Sequence, residues 1–267
     1  MNVDVLELTN FRNYHKLKIK FSPFVNIIHG KNGSGKTNIV EAIYVLGLTK
    51  SFRNINEKYL ILKAKDISKV KGTLVLKSKN KYEVDITKDG KKVLINNNKV
   101  NLLSDYISNI PIIVFSPDDL KLLKETPIVR RKFLNIELSF YKKEYLKNIA
   151  YYNKLLKQRN SYLKQSFINS NKSSEYLDIL TEKLFDYGLK IFNVRKEFIE
   201  KINQKINDYY SKISKSGVVN IKYVSNFEDN KENMLKKYKK YYQKELNFGK
   251  TLLGIHLDDI DFYLDQN

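Results

Sequence analysis

The stretch Val25 to Leu48, VNIIHGKNGSGKTNIVEAIYVLGL, constrains this chain more than any other. Gly30 is followed by four residues and then by Gly35-Lys36-Thr37, the full phosphate-binding loop pattern. Val25, Ile27 and Ile28 precede it as an apolar run that predicts a short buried strand. Ile39, Ala42, Ile43 and Leu46 follow at helical spacing, with Val40 and Tyr44 widening the stripe. Strand, glycine loop and helix therefore come in the required order.

The residue types explain the chemistry. Gly30, Gly33 and Gly35 let the backbone turn tightly and approach a ligand that a Cβ would obstruct. The candidate nucleotide site is the whole run of Gly30, Lys31, Asn32, Gly33, Ser34, Gly35, Lys36 and Thr37. Its successive N–H groups form an anion nest, backed by the positive end of the helix. Lys36 reaches the outer phosphates as a point charge, and the Thr37 hydroxyl completes a Mg²⁺ shell. The alternative, a glycine turn whose lysine faces solvent, does not account for the flanking strand and helix patterns.

A chain of 267 residues can bury a large core, as one big domain or two smaller ones. It has no cysteine, which excludes disulfides and thiolate metal sites and suits a reducing compartment. The start, MNVDVLELTNFRNY, lacks the basic and apolar regions of a signal peptide, and no apolar run reaches membrane-span length. These features predict a soluble, cytoplasmic protein. The formal charge of +20 invites a polyanion partner. That reading is diluted by composition: only six of the 49 basic residues are Arg, and Asn, Ile and Tyr are also abundant, a profile that a coding bias toward AT-rich codons would produce.

Along the chain, Val3 to Leu8 and Leu17 to Phe21 read as strands, the second alternating with lysines. Residues 70–100 read as a β-meander, with strands at Val70–Lys77, Tyr82–Thr87 and Lys92–Ile95. Ile110–Phe115 predicts another apolar strand, and Asp118-Asp119 opens a short helix. From Pro127 to Ser166 there is neither Gly nor internal Pro. Leu134, Leu138, Tyr141, Tyr145, Ile149, Tyr152, Leu156 and Leu163 step by threes and fours, with one gap at Arg159. After a polar link at 169–174, Leu177 to Tyr209 repeats the stepping. Two such seams predict an antiparallel helical hairpin with arms of roughly 50–60 Å. The alternative is a helical bundle covering the sheet. The first arm is basic, with ten Lys or Arg between Arg130 and Lys164 against Glu137 and Glu144. That face is either simply solvated or in contact with phosphates. Val218–Val224 then predicts a strand and Glu228–Glu245 a basic helix.

LTNFRNY (Leu8–Tyr14), the loop and helix at His29–Tyr44, KSFR (Lys50–Arg53), VFSPDDL (Val114–Leu120), RRKFLN (Arg130–Asn135) and GIHLDD (Gly254–Asp259) together resemble the RecF family of bacterial DNA replication and repair proteins, ABC-type ATPases related to the structural-maintenance group. The resemblance implies an α/β fold: an ABC-ATPase-like head with a β-meander, over residues 1–125, an inserted antiparallel helical lever arm at 126–216, and a return segment toward the head at 217–267. It implies ATP-dependent dimerisation on single-stranded or gapped DNA, partnership with RecO and RecR, and a role in gap repair and the SOS response. It adds Asn32 as a phosphate contact and places Arg12 and Asn13 near the nucleotide. In three respects the chain departs from the family pattern. Ile255 and Leu257 replace the usual Pro and Arg, and the signature and the second acidic strand that would follow are not found. The resemblance therefore implies a C-terminally truncated chain deficient in hydrolysis, with Asp258-Asp259 read as loop or strand-edge acids and no catalytic residue assigned. Two other classes compete: a P-loop small-molecule kinase, which the heptad arms disfavour, and a non-catalytic coiled-coil DNA-binding module.

Overall fold

A computed structural model describes residues 2–53, 56–75, 78–107, 109–168, 174–214 and 216–265. The chain divides into two compact units, residues 1–116 and 117–267.

The first unit comprises β1 (Asn2–Phe11), β2 (Tyr14–Lys20), α1 (Lys36–Leu48), β3 (Ile67–Val75), β4 (Lys79–Thr87), β5 (Lys91–Ile95), β6 (Asn98–Lys99) and α2 (Leu103–Ile107). Its strands form one sheet in the order β2-β1-β3-β4-β5-β6, and every pairing is antiparallel. The period-2 pattern sets the register. Leu8 lies between Leu17 and Val70, and Leu6 between Ile19 and Gly72, so one face of the sheet is apolar. That face and the buried side of α1 (Ile39, Ala42, Val45, Leu46) share a core. Gly72 fixes how closely they approach, because a Cβ there would overlap the Leu46 side chain. Tyr106 on α2 donates to the Leu46 carbonyl at 2.8 Å, which satisfies the phenol in the core.

Two expected strands do not form. Residues 25–28 and 111–116 have no regular secondary structure and are unpaired, with Val25 78% and Ile27 84% exposed, and Ile113 86% and Phe115 92%. Such runs suit strands flanked on both sides, and no described strand offers either of them backbone partners. Only Ile28, Ile110 and Ile112 tuck against the core. The meander forms as β3, β4 and β5; Lys77, like Asn54, lies outside the described residues.

The second unit begins with a 3-10 turn at Pro117–Leu120 and α3 (Lys121–Lys124). There follow α4 (Pro127–Tyr141), α5 (Lys143–Ile168), α6 (Ser174–Ile213), β7 (Val219–Val224), α7 (Lys231–Phe248) and β8 (Asp259–Leu264). α5 and α6 run antiparallel, since Tyr162 meets Tyr176, Tyr151 stacks on Tyr187, and Tyr145 meets Arg195. Most of the expected link, 169–173, lies outside the described residues. The first arm is not one rod. It breaks at Lys142, which is extended (φ −136, ψ 116), and the Lys142 ammonium and the Tyr141 hydroxyl both donate to Glu197 of α6. With its 26 residues α5 spans about 39 Å, whereas the 40 residues of α6 span about 60 Å.

The hairpin does not bury its seam alone. Tyr152, Leu184 and Ile191 share a core with Phe227, Tyr238, Leu253 and Ile255, so the stretch from Ile221 to Phe262 packs onto the arms. β7 pairs antiparallel with β8. Its other edge is closed by α6: the amides of Asn203 and Asn207 each donate to and accept from the backbone of Ile221 and Val219, respectively. No helix among the described residues is long and apolar enough to cross a membrane.

Candidate nucleotide site

The glycine loop runs between the unpaired segment at 25–30 and α1. Its glycines hold backbone angles that L side chains resist: Gly30 has φ 144, Gly33 φ 80 and Gly35 φ 99. At Gly35 the restriction is double. A Cβ there would also lie 2.5 Å from the Tyr14 hydroxyl and 2.9 Å from the Asn13 amide nitrogen. The loop is therefore pressed against the β1–β2 turn. Tyr14 Oη donates to the Ser34 carbonyl at 3.3 Å, and Asn38 Nδ2 of α1 donates to Asn13 Oδ1 at 2.9 Å.

Among the loop amides of residues 31–35, only Ser34 N–H donates to a backbone carbonyl, that of Lys31, at a long 3.3 Å. The first turn of α1 starts at Lys36, so the Lys36 and Thr37 amides are also free of helical partners. Lys36 Nζ donates to the carbonyls of Gly30 and Lys31, both at 2.7 Å, and so folds back over its own loop. Thr37 is exposed in the first turn, and Lys31, Asn32, Gly33 and Ser34 are exposed around it. Open glycine geometry, unpartnered amides, a cation held over the loop and a free threonine together fit a polyphosphate with its divalent ion.

FRNY, residues 11–14, is the hairpin turn itself: Phe11 pairs with Tyr14, and Arg12 sits at φ 54. The guanidinium of Arg12 makes a bidentate pair with Glu41 of α1, at 2.8 and 2.6 Å. Glu41 is fully buried, and it also accepts from Ser51 and lies 3.7 Å from Arg53. FRNY, the loop helix and KSFR thus meet at one carboxylate. Asn13 reaches the loop, while Arg12 is spent on Glu41. Sequence reasoning did not single out Tyr14, Asn38 or Glu41. The one local signal was a carboxylate among the apolar positions of α1.

The later motifs serve the second unit. Arg130 pairs with both oxygens of Asp259 (2.6 and 2.8 Å), and Arg131 donates to the Asp258 carbonyl at 2.7 Å. The Asp258 carboxylate is buried and accepts from Arg195 at 2.6 Å and from Tyr223 and Ser225. These acids tie α4, α6 and the β7–β8 pair together, and their oxygens are filled by protein donors. Arg159, the gap in the seam, is buried against Thr181, Thr251 and Glu245.

Residues 2–123 match the family model described as the RecF/RecN/SMC N terminal domain. The chain is 36% identical over 274 residues to the DNA replication and repair protein RecF of Listeria innocua, covering 99% of this chain and 74% of that one. With RecF of Clostridium perfringens it shares 37% over 272 residues, 100% of this chain and 74% of the other. Solved structures of the recombination mediator protein RecF of the RecFOR pathway superpose with a TM-score of 0.93. The one with ATPrS is 29% identical and covered over 74% of its length, and the one with ATP is 30% identical and covered over 73%. The fold is accordingly the RecF-like ABC-ATPase α/β fold with its helical hairpin. On this identity and coverage, the chain belongs to the RecF family of DNA replication and repair proteins.

Proposed function

We propose that this chain binds ATP, with Mg²⁺, through Gly30–Thr37 and acts on DNA in replication and recombinational repair. The observation that carries the reading is the loop itself, a glycine turn with free amides whose Lys36 reaches back over it. Lys36 moves from the Gly30 and Lys31 carbonyls to the outer phosphates, Asn32 and the loop amides face the phosphate chain, and Thr37 contributes its hydroxyl to the ion. Asn13 and Tyr14 hold the loop in place from the β1–β2 turn. Relatives that act in DNA repair, and a solved RecF bound to ATP, support the reading. The RecFOR pathway named for that structure supports RecO and RecR as partners. Neither the kinase nor the purely structural reading gains support from these relatives.

Lys36→Ala should weaken ATP binding at least about tenfold, which corresponds to about 1.4 kcal/mol. Titration of both proteins with a fluorescent ATP analogue measures it. Equal affinities would remove the loop as the nucleotide site.

A further inference from the structure

The second unit carries a cationic track on α5 that the nucleotide site does not use. Lys143, Lys147, Ala150, Lys154, Lys157, Ser161 and Lys164 step 4-3-4-3-4-3, so they lie on one face of the helix. All seven are exposed. The track carries only Lys, Ala and Ser, and from Lys143 to Lys164 it runs about 31 Å, close to one turn of B-form duplex. Among the described residues, Lys143, Lys154, Lys157 and Lys164 form no ion pair.

Several acids of the same unit are engaged elsewhere. Glu197 is held by Lys142 and Lys201, Glu182 and Asp186 lie beside Lys231, Glu245 holds Arg159, and Asp258 and Asp259 hold Arg195 and Arg130. Glu144 is the one acid of α5, and it lies off the track. Beyond Lys164 the field continues: its side chain lies against Gly249, which exposed Lys250 follows. Lys143, Lys154, Lys157 and Lys164, on one face of a single helix with small residues between them, favour a polyanion of regular charge spacing. Duplex DNA carries about one charge per 1.7 Å along its axis, and lysines that meet it release counterions. A single strand would call for open aromatic faces, but Tyr151 beside the track is already stacked on Tyr187 at 5.3 Å.

We infer that this lysine face of α5 is a docking track for the phosphodiester backbone of duplex DNA, indifferent to base sequence. The inference rests on the DNA-binding reading above and assigns it a surface. It excludes Lys142, because Glu197 already holds it.

The test is the salt dependence of binding to a random-sequence 30-base-pair duplex. It compares the wild-type chain with Lys154→Gln/Lys157→Gln/Lys164→Gln and, as a control, Lys196→Gln/Lys205→Gln/Lys212→Gln on α6. All six lysines are exposed, and thermal unfolding by circular dichroism checks that both variants fold like wild type. The track variant should lose about 2.7 from the slope of log K against log salt, so that its affinity loss between 50 and 200 mM salt is about 40-fold smaller than that of wild type. The control should keep the wild-type slope. An unchanged slope in the track variant, or an equal drop in the control, overturns the track. So does a track variant that keeps its DNA slope but loses retention on polyglutamate, which would make the face a protein-binding surface. Wild type showing no salt-dependent DNA binding would instead sink the DNA reading itself.

Discussion

Single residues divide by how far away their partners lie. Gly30, Lys36 and Thr37 were legible as a loop pattern because that pattern lies within a few residues. Glu41 was not, because a carboxylate on a helix usually faces water; here its partners are Arg12 and Ser51, 29 and 10 residues away. His256 was equally silent. In the structure its Nε2 lies 3.2 Å from the Thr251 carbonyl and its Nδ1 2.9 Å from Tyr152 Oη. Since the carbonyl can only accept, Nε2 carries the proton and Tyr152 donates to Nδ1. Burial pushes the imidazole down to about 4. A depressed histidine favours the fold above its unfolded value, about 6.5, and that contribution is lost as pH falls through 4. At pH 5 the loss from this group is about 2 kcal/mol relative to neutral pH. Urea unfolding of wild type and His256→Gln at pH 7.5 and 5 measures it: the variant should lose about that much less stability on acidification. Parallel losses would show that His256 does not titrate between the two states.

At the scale of elements, hydrophobic period found most of the structure. β1 to β5, α1 and α6 sit where apolar patterning placed them, and β7 and α7 fall close to the strand and basic helix read at 218–224 and 228–245. The break at Lys142 had no such signal, since neither Gly nor Pro marks it and its ties to Glu197 are tertiary. The protection of β7 was hidden too. Asn203 and Asn207 are spaced i, i+4, so one face of α6 presents two amides to alternate residues of the strand. Together they satisfy both backbone groups of Val219 and of Ile221. Asn203→Ala/Asn207→Ala would leave those groups on an open edge, where each part-buried, unpartnered group costs about 1 kcal/mol or more. Hydrogen exchange at the Val219 and Ile221 amides should then accelerate at least about tenfold while α7 stays protected. Unchanged exchange at both amides would refute the edge-closing role.

Over the molecule as a whole, the loose ends are apolar. Phe24, Val25, Ile27, Ile113 and Phe115 of the first unit are exposed, on segments with no strand partner among the described residues. Exposed apolar runs with free backbone groups recruit other chains. The 267-residue chain should therefore self-associate with rising concentration to the same extent with and without ATP–Mg²⁺, and Phe24→Ser/Phe115→Ser should reduce the effect. Light scattering across a concentration series reads both outcomes. A discrete dimer that forms only with ATP would contradict this account and point to a nucleotide-built interface.

The sequence alone determined what is local or periodic: the glycine loop with its lysine and threonine, the antiparallel meander, and two long apolar seams. These depend on backbone geometry and on a repeat of 2 or 3.6 residues, which short windows carry. Only the tertiary structure decided that Val25–Ile28 and Ile110–Phe115 stay unpaired, because a strand needs hydrogen-bond partners that its own residues do not encode. It likewise decided that Arg159, Arg195, Glu41 and Asp258 lie inside, since a buried charge is tolerated only where distant donors and acceptors converge on it.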